Sequence, residues 1–197
     1  MSVEILGEIL SIDEIQQFCL SGKNLTIFPI EICKLVKLEK LFLDKNQISI
    51  IPPEISNLVN LEVLYLNDNN ISKLPIEITT LSKLRILRLD YNKIENIPPE
   101  ITNLISVQML PLYSNKIKTL PREILKIKDK IKMEYCSYDM DNLDPDCELI
   151  ILHKLKVPLT NLPISLKEIW LYEPKIEINQ HKIPFGCKVY VNDELKN

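Results

Sequence analysis

The hydrophobic positions of the chain recur with a fixed period of 23 residues. Copies begin at Leu38, Leu61, Leu84 and Val107, and they follow the pattern LxxLxLxxNxIxxIPxEIxxL. The alternating leucines predict a short strand with one buried face. The proline and the glutamate after it predict a short helical turn with negative charge at its start. A period of this kind predicts a stacked solenoid instead of a globule.

An asparagine follows each predicted strand. These residues are Asn46, Asn69, Asn92 and Asn115. They stand where the chain turns and where backbone groups would otherwise be unpaired in the core. Because an amide side chain both donates and accepts, we expect stacked copies to form a ladder of hydrogen bonds. Lys23 replaces the asparagine in an earlier copy, as expected for a first repeat with only one neighbour.

The pattern divides the chain into four segments. They are an amphipathic N-terminal cap (1–14), five regular repeats (15–129), a degenerate repeat with an acidic loop (130–148), and a C-terminal cap of shortened repeats (149–197). The sixth copy is predicted to start near Lys130, with Met133 and Tyr135 in leucine places. The tail around Val189 is predicted to form a final strand that closes this end.

The composition and the N-terminal sequence limit the partners and the cellular location that we expect for the protein. A net charge of −3 gives no reason to expect binding to nucleic acid or to an anionic membrane. The N-terminal segment lacks the basic start of a signal peptide, and no apolar run approaches the roughly 18 residues that span a bilayer. The five cysteines are odd in number and form no paired framework. We therefore expect a cytoplasmic protein.

Residues with catalytic or metal-binding chemistry are few. His153 and His181 are the only histidines, and no glycine-rich phosphate loop is present. The set Cys136, Cys147, His153 and Cys187 matches no zinc-ligand spacing, and the acidic stretch near Asp144 lacks the glycine of a calcium loop. We therefore predict no enzyme activity, no cofactor and no metal.

The segment IPPEISNLVNLEVLYLNDNNISKLP resembles the 23-residue intracellular leucine-rich repeats of the Ras-suppressor type. The resemblance is close over 15–129 and loose over 130–197. It implies an α/β leucine-rich repeat solenoid, with a curved parallel sheet on the concave face and short helices or 3-10 turns on the convex face. The segment LTNLPISLKEIWL is similar to repeats of bacterial effectors and giant amoebal viruses. Together with the alanine-free composition, which indicates an AT-rich coding genome, this similarity suggests a viral protein from a giant virus, or a protein from a similarly AT-rich protist.

In this family the residues between the strand leucines point outward from the concave face. The candidate partner-binding residues are Phe42, Val63, Tyr65, Ile86, Arg88, Met109, Tyr91, Tyr113, Asp68, Asp90 and Trp170. An apolar patch with tyrosine, tryptophan and arginine has the usual composition of an interface hot spot. The alternative is that tyrosine and phenylalanine only stiffen the sheet by packing across strands.

The leading hypothesis is a non-enzymatic protein–protein interaction module that binds a partner through the concave face. The resemblance suggests a small Ras-like GTPase or a signalling scaffold as the first partner class to test. A host regulatory protein is the expected target if the source is a virus or pathogen. A second hypothesis is a homodimer formed through the same apolar residues. A third is an adaptor for a GTPase, ubiquitin ligase or phosphatase complex. An enzyme is the last of the hypotheses.

Overall fold

The structure, a computed structural model, describes residues 2–132, 143–153, 159, 162–174 and 183–196. It confirms the predicted fold class, a leucine-rich repeat solenoid of short parallel strands and 3-10 turns. The strands are β1 (Ser2–Ile5), β2 (Glu8–Ser11), β3 (Gln17–Cys19), β4 (Lys40–Phe42), β5 (Val63–Tyr65), β6 (Ile86–Arg88), β7 (Leu110–Pro111), β8 (Ile131–Lys132), β9 (Leu149–His153), β10 (Glu168–Tyr172), β11 (Lys188–Val191) and β12 (Glu194–Lys196). The 3-10 helices are Ile30–Lys34, Pro53–Asn57, Ile76–Thr80, Pro99–Asn103 and Arg122–Ile127.

The central sheet is parallel and joins β3, β4, β5 and β6 in that order. Equivalent places of successive repeats lie side by side, so that Leu41 pairs with Leu64 and Leu64 with Leu87. These leucines are completely buried. Each 3-10 helix starts after a proline with an extended backbone. An isoleucine of the helix, such as Ile55 or Ile78, packs into the same core.

The predicted asparagine ladder is present, and it bonds each repeat to the one before it. Asn69 Nδ2 donates to the carbonyls of Leu43 at 2.9 Å and Leu66 at 3.1 Å, and its Oδ1 accepts from the N–H of Ile48 at 2.9 Å. Asn46, Asn92 and Asn115 make the equivalent bonds. All four asparagines are buried. One side chain therefore satisfies buried backbone groups in two repeats.

The residue directly before each ladder asparagine has a left-handed backbone. Lys45, Asp68, Tyr91 and Ser114 have φ between 54° and 56°. Gly22 occupies the same place in the first repeat, with φ 66°. The turn after each strand thus demands a conformation that costs a residue with a Cβ about 1–2 kcal/mol.

The regular sheet is interrupted at Pro111. Leu87 N–H donates to Met109 O at 3.1 Å, but the pairing of β6 with the next repeat shrinks to a single bridge between Ile86 and Met109. Pro111 has no N–H to offer to the ladder, so the break follows from its chemistry. The full ladder is therefore four strands wide, where the repeats alone predict five.

The sixth repeat lies in a different register from the predicted one. Leu110, in the fourth place of its repeat, pairs with Ile131. Ile131 is therefore also in fourth place, and the repeat begins at Lys128 instead of near Lys130. Ile131 is buried and takes the leucine role that Met133 was predicted to take. Met133, Tyr135 and the first part of the acidic loop, residues 139–142, lie outside the described residues.

Both ends of the array carry a hairpin. At the N-terminus β1 and β2 pair antiparallel, and Val3 and Ile5 are buried in the core. At the C-terminus β9, β10 and β11 form a second parallel sheet, to which β12 adds antiparallel. A strand around Val189 is present as β11, but it is not the final strand, because β12 follows it at the edge of the sheet. The turn to β12 contains Asn192 and Asp193, both with positive φ.

We predict that Asn69→Ala lowers the free energy of unfolding by about 3 kcal/mol, because it leaves the buried carbonyls of Leu43 and Leu66 and the buried N–H of Ile48 without their partner. Urea denaturation followed by circular dichroism measures the change. The control is Asn103→Ala, an exposed asparagine of the convex face, which is expected to change stability by less than about 0.5 kcal/mol. Equal effects of the two substitutions would contradict the role of the ladder.

We also predict that Lys45→Gly stabilises the protein by about 0.5–1 kcal/mol, because glycine adopts the left-handed backbone of this position without strain. Lys93→Gly, at an exposed position without positive φ, is the matched control and is expected to destabilise. The midpoint of urea denaturation should therefore move in opposite directions for the two variants.

Candidate partner-binding surface

The fifth places of three neighbouring repeats form a row across β4, β5 and β6. The strand register puts Phe42 beside Tyr65 and Tyr65 beside Arg88. The rings of Phe42 and Tyr65 meet edge to face, with centroids 5.0 Å apart and an interplanar angle of 85°. The guanidinium carbon of Arg88 lies 5.4 Å from the Tyr65 ring centroid. Each side chain of the row packs against its neighbour in the row, and all three are also partly exposed to solvent.

The third places add an aliphatic row next to these rings. Val63 pairs with Ile86, and Ile86 bridges to Met109. Val63 and Ile86 are partly exposed and Met109 is 36% exposed. We call the five residues Phe42, Val63, Tyr65, Ile86 and Met109 the apolar patch. The strand leucines between them already fill the core, so the fold does not require apolar side chains at these outward places.

Arg88 is fixed by a carboxylate beneath it. Its Nε and Nη2 donate to Asp90 Oδ1 at 3.1 Å and Oδ2 at 2.7 Å. The Asp90 side chain is fully buried. Asp90 was predicted to contact a partner directly, and the structure corrects this, because a buried carboxylate held by Arg88 has no surface to offer. The hydrogen bond to Asp90 also raises the pKa of Arg88 above its ordinary value.

Two tyrosines and one aspartate lie at the edge of this face. The rings of Tyr91 and Tyr113 meet edge to face at 5.4 Å, and Tyr91 is 52% exposed. Burial and the nearby Asp90 raise the pKa of Tyr113. Asp68 is exposed and accepts a hydrogen bond from Asn67 Nδ2 at 2.7 Å. This bond fixes the amide of Asn67, whose buried Oδ1 accepts no hydrogen bond.

Trp170 lies in a different sheet from the other candidates. It belongs to β10, where it stacks on Tyr190 with centroids 4.1 Å apart and 10° between the planes. Its Nε1 donates to Glu168 Oε2 at 2.9 Å, and Lys128 Nζ lies 4.9 Å from its ring centroid. The contacts of Trp170 therefore lie in the C-terminal sheet and at the end of the last regular 3-10 helix, and among the described residues no hydrogen-bonded strand links its sheet to the apolar patch.

Lys128 was missed by the sequence interpretation. Its ammonium group bonds Asp193 and, at 2.9 Å, the hydroxyl of Tyr172, and it thus joins the last regular helix to the C-terminal sheet. Burial opposes the charge of Lys128, but the bonds to Asp193 and Tyr172 outweigh it and raise its pKa. The sequence feature that could have indicated a nearby cation is the group of aromatic residues Trp170, Tyr172 and Tyr190, because aromatic ring faces attract positive charge.

The described residues offer little for catalysis. Burial raises the pKa of the Cys33 thiol to about 12 and that of Cys187 to about 11, which disfavours a reactive thiolate. Within the described ranges no group of three His, Cys, Asp or Glu side chains is placed to hold a metal ion. Cys136 and His181 lie outside those ranges. Among the same residues no helix is both long and apolar enough to cross a bilayer.

Comparisons with known proteins agree with this architecture. Residues 36–94 match the family model described as leucine rich repeat. No curated protein sequence matches the chain significantly. The fold is similar to a leucine-rich repeat protein of Leptospira interrogans, with 30% identity, a TM-score of 0.59, and coverage of 88% of this chain and 48% of that protein.

Two further solved structures are similar. One is the plant peptide hormone receptor RGFR1 in complex with RGF2, with 29% identity, a TM-score of 0.51, and coverage of 75% of this chain and 22% of the receptor. The other is an internalin from Listeria monocytogenes, with 18% identity, a TM-score of 0.50, and coverage of 93% of this chain and 63% of that protein. The chain thus spans about half or less of the first two proteins. By its repeats, its strand register and these similarities, the chain is a leucine-rich repeat solenoid.

Proposed function

We propose that the chain is a protein-interaction module that binds a protein partner through the apolar patch on its concave face. The observation that carries the proposal is the patch itself, five adjacent apolar side chains that stay partly exposed on places left free by the repeat. Leucine-rich repeat proteins generally mediate protein–protein interactions. The complex of RGFR1 with RGF2 supports a protein or peptide ligand as the class to test.

The packing of the patch suits it to this role. An edge-to-face pair contributes about 0.5–1.5 kcal/mol beyond the area that it buries, and it holds both rings in one orientation. A partner that covers the rings therefore meets side chains with little rotamer freedom left to lose. Stiffening of the sheet explains the contact of Phe42 with Tyr65. It does not explain the aliphatic side chains of Val63, Ile86 and Met109 at outward places.

The identity of the partner is proposed from the resemblance of the repeats. A small Ras-like GTPase is the first candidate, and a host regulatory protein is the candidate if the source is a virus. Both imply a cytoplasmic location. A partner of either class needs an apolar surface that is complementary to Tyr65 and Met109. The same experiment therefore serves for either.

We predict that Phe42→Ala/Tyr65→Ala weakens partner binding by more than tenfold, because it removes both aromatic anchors of the patch. Partners captured from native or host lysate are quantified by mass spectrometry for the wild type and the variant. The control is Ile27→Ala/Ile50→Ala, which removes exposed apolar side chains from outside the concave face and should leave capture unchanged. Equal capture by the wild type and the patch variant, at unchanged melting temperature, sinks the proposal.

The homodimer hypothesis is separated by light scattering over a dilution series. A mass that rises toward twice 22.9 kDa with concentration, and that Phe42→Ala/Tyr65→Ala abolishes, would identify a second copy as the occupant of the patch. A mass that stays at the monomer value over the whole dilution series excludes the homodimer and supports a different protein as the occupant of the patch.

We predict that Arg88→Ala lowers stability by about 2 kcal/mol, because it leaves the buried Asp90 carboxylate without its cationic partner. Arg88→Ala/Asp90→Asn should recover part of the loss. The pair is measured as a double-mutant cycle in urea. Additive effects of the two substitutions would contradict the coupling. Arg88→Ala is for this reason unsuitable as a binding probe without the second change.

A further inference from the structure

A basic groove runs along one edge of the concave face, beside the apolar patch. It has a volume of about 560 Å³ and includes Glu62, Lys83, Arg85, Ile105, Gln108 and Lys130 in its lining. Arg85 directly precedes Ile86 in the sequence, and Gln108 directly precedes Met109. The lining of the groove is therefore contiguous in sequence with the aliphatic row of the patch, so that one bound segment can reach both.

The charges of the groove differ in sign from those of the whole chain. Its lining has three cations, Lys83, Arg85 and Lys130, and one carboxylate, Glu62. The lining thus has a local excess of two positive charges in a protein whose net charge is −3. Such a local field attracts an anionic group and favours its approach over that of a cation.

The cations of the groove are weakly engaged by the protein itself. Arg85 has 54% of its side chain exposed, and its contacts are long, 3.7 Å to the Glu62 carboxylate and 3.3 Å to Gln108 Oε1. Lys83 donates to a neutral amide, Asn60 Oδ1, at 2.7 Å. Among the described residues no carboxylate pairs with Lys130. Arg88 is the contrast, since Asp90 engages two of its nitrogens at 3.1 Å and 2.7 Å.

We propose that this groove receives the carboxylate side chains of an acidic segment of the partner, next to the apolar residues that cover the patch. This inference rests on the proposed function of the patch and adds the chemistry of the partner. The guanidinium of Arg85 is shaped for two parallel hydrogen bonds to one carboxylate. Ile105, 74% exposed on the groove wall, contacts an aliphatic side chain of the same segment. The partner motif is thus acidic and aliphatic residues in close succession.

The test uses a displayed library of random 12-residue peptides, selected on the full chain. The inference expects selected peptides to be enriched in Asp or Glu within a few positions of an aliphatic or aromatic residue. Their affinities are then measured by fluorescence anisotropy for the wild type and for Lys83→Glu/Arg85→Glu/Lys130→Glu. We predict that this reversal weakens binding by about tenfold or more and removes most of its salt dependence.

The control variant changes the same number of charges elsewhere. Lys73→Glu/Lys93→Glu/Lys116→Glu replaces three exposed lysines outside the groove and is expected to change affinity by less than about threefold, through long-range charge alone. Circular dichroism verifies that both triple variants fold. If the groove variant does not fold, the single substitution Arg85→Gln replaces it, with an expected loss of about fivefold.

The outcomes separate this inference from the proposed function. Selected peptides without acidic enrichment, or peptides that lose affinity on Phe42→Ala/Tyr65→Ala but not on reversal of the groove charges, overturn the acidic motif and leave the patch standing. Peptides that depend on the groove but not on Phe42 and Tyr65 retain the groove and overturn the patch. Failure to select any peptide overturns the acidic motif, whereas the patch is decided by the lysate capture with Phe42→Ala/Tyr65→Ala. Full displacement of the peptides by millimolar inorganic phosphate at constant ionic strength makes the groove a site for a free anion and overturns the peptide assignment.

Discussion

The fold depends on a buried asparagine that satisfies backbone groups in two repeats at once. A 3-residue strand with a sharp turn leaves carbonyls and amides inside the core, and leucine cannot pair with them. Asn69 closes its own turn through Leu66 and reaches back to Leu43 and Ile48. Each of the four repeats that carry a ladder asparagine completes these hydrogen bonds with the repeat before it. This makes the array cooperative along its axis and explains why its ends carry other structures, the hairpin of β1 and β2 and the sheet of β9 to β12.

The asparagine ladder also determines which places of the repeat stabilise the fold and which are free to recognise a partner. The ladder and the leucines use fixed places of the period, so partner recognition is confined to the outward places. Two arginines three residues apart show how differently such places are used. Arg88 is committed to the buried Asp90, whereas Arg85 reaches its neighbours only at 3.3 Å and 3.7 Å. Residue type alone does not distinguish them. The burial of the nearest carboxylate does.

The fold class, the ladder and the row Phe42, Tyr65 and Arg88 are predictable from the sequence, because the period fixes strand register and therefore neighbours. The burial of Asp90 is not predictable in this way, since the equivalent Asp44 remains partly exposed and the difference lies in the arginine above Asp90. The register of the sixth repeat fails for another reason, because Ile131 and Met133 are both acceptable in a leucine place. The separation of Trp170 from the apolar patch is not predictable, because its shortened repeat belongs to a second sheet and the period no longer fixes its neighbours.

The apolar patch and the basic groove contribute to binding in different ways, the patch to affinity and the groove to orientation. The proposed patch supplies most of the affinity, because burying aromatic and aliphatic area is favourable in any orientation of the partner. It therefore discriminates poorly between partners and between orientations. A carboxylate that must reach Arg85 removes this freedom, since it fixes which end of the bound segment lies over Met109. A solenoid suits such a division of tasks, because its rigid register holds the distance between the two surfaces constant, and a partner must match that distance as well as the chemistry.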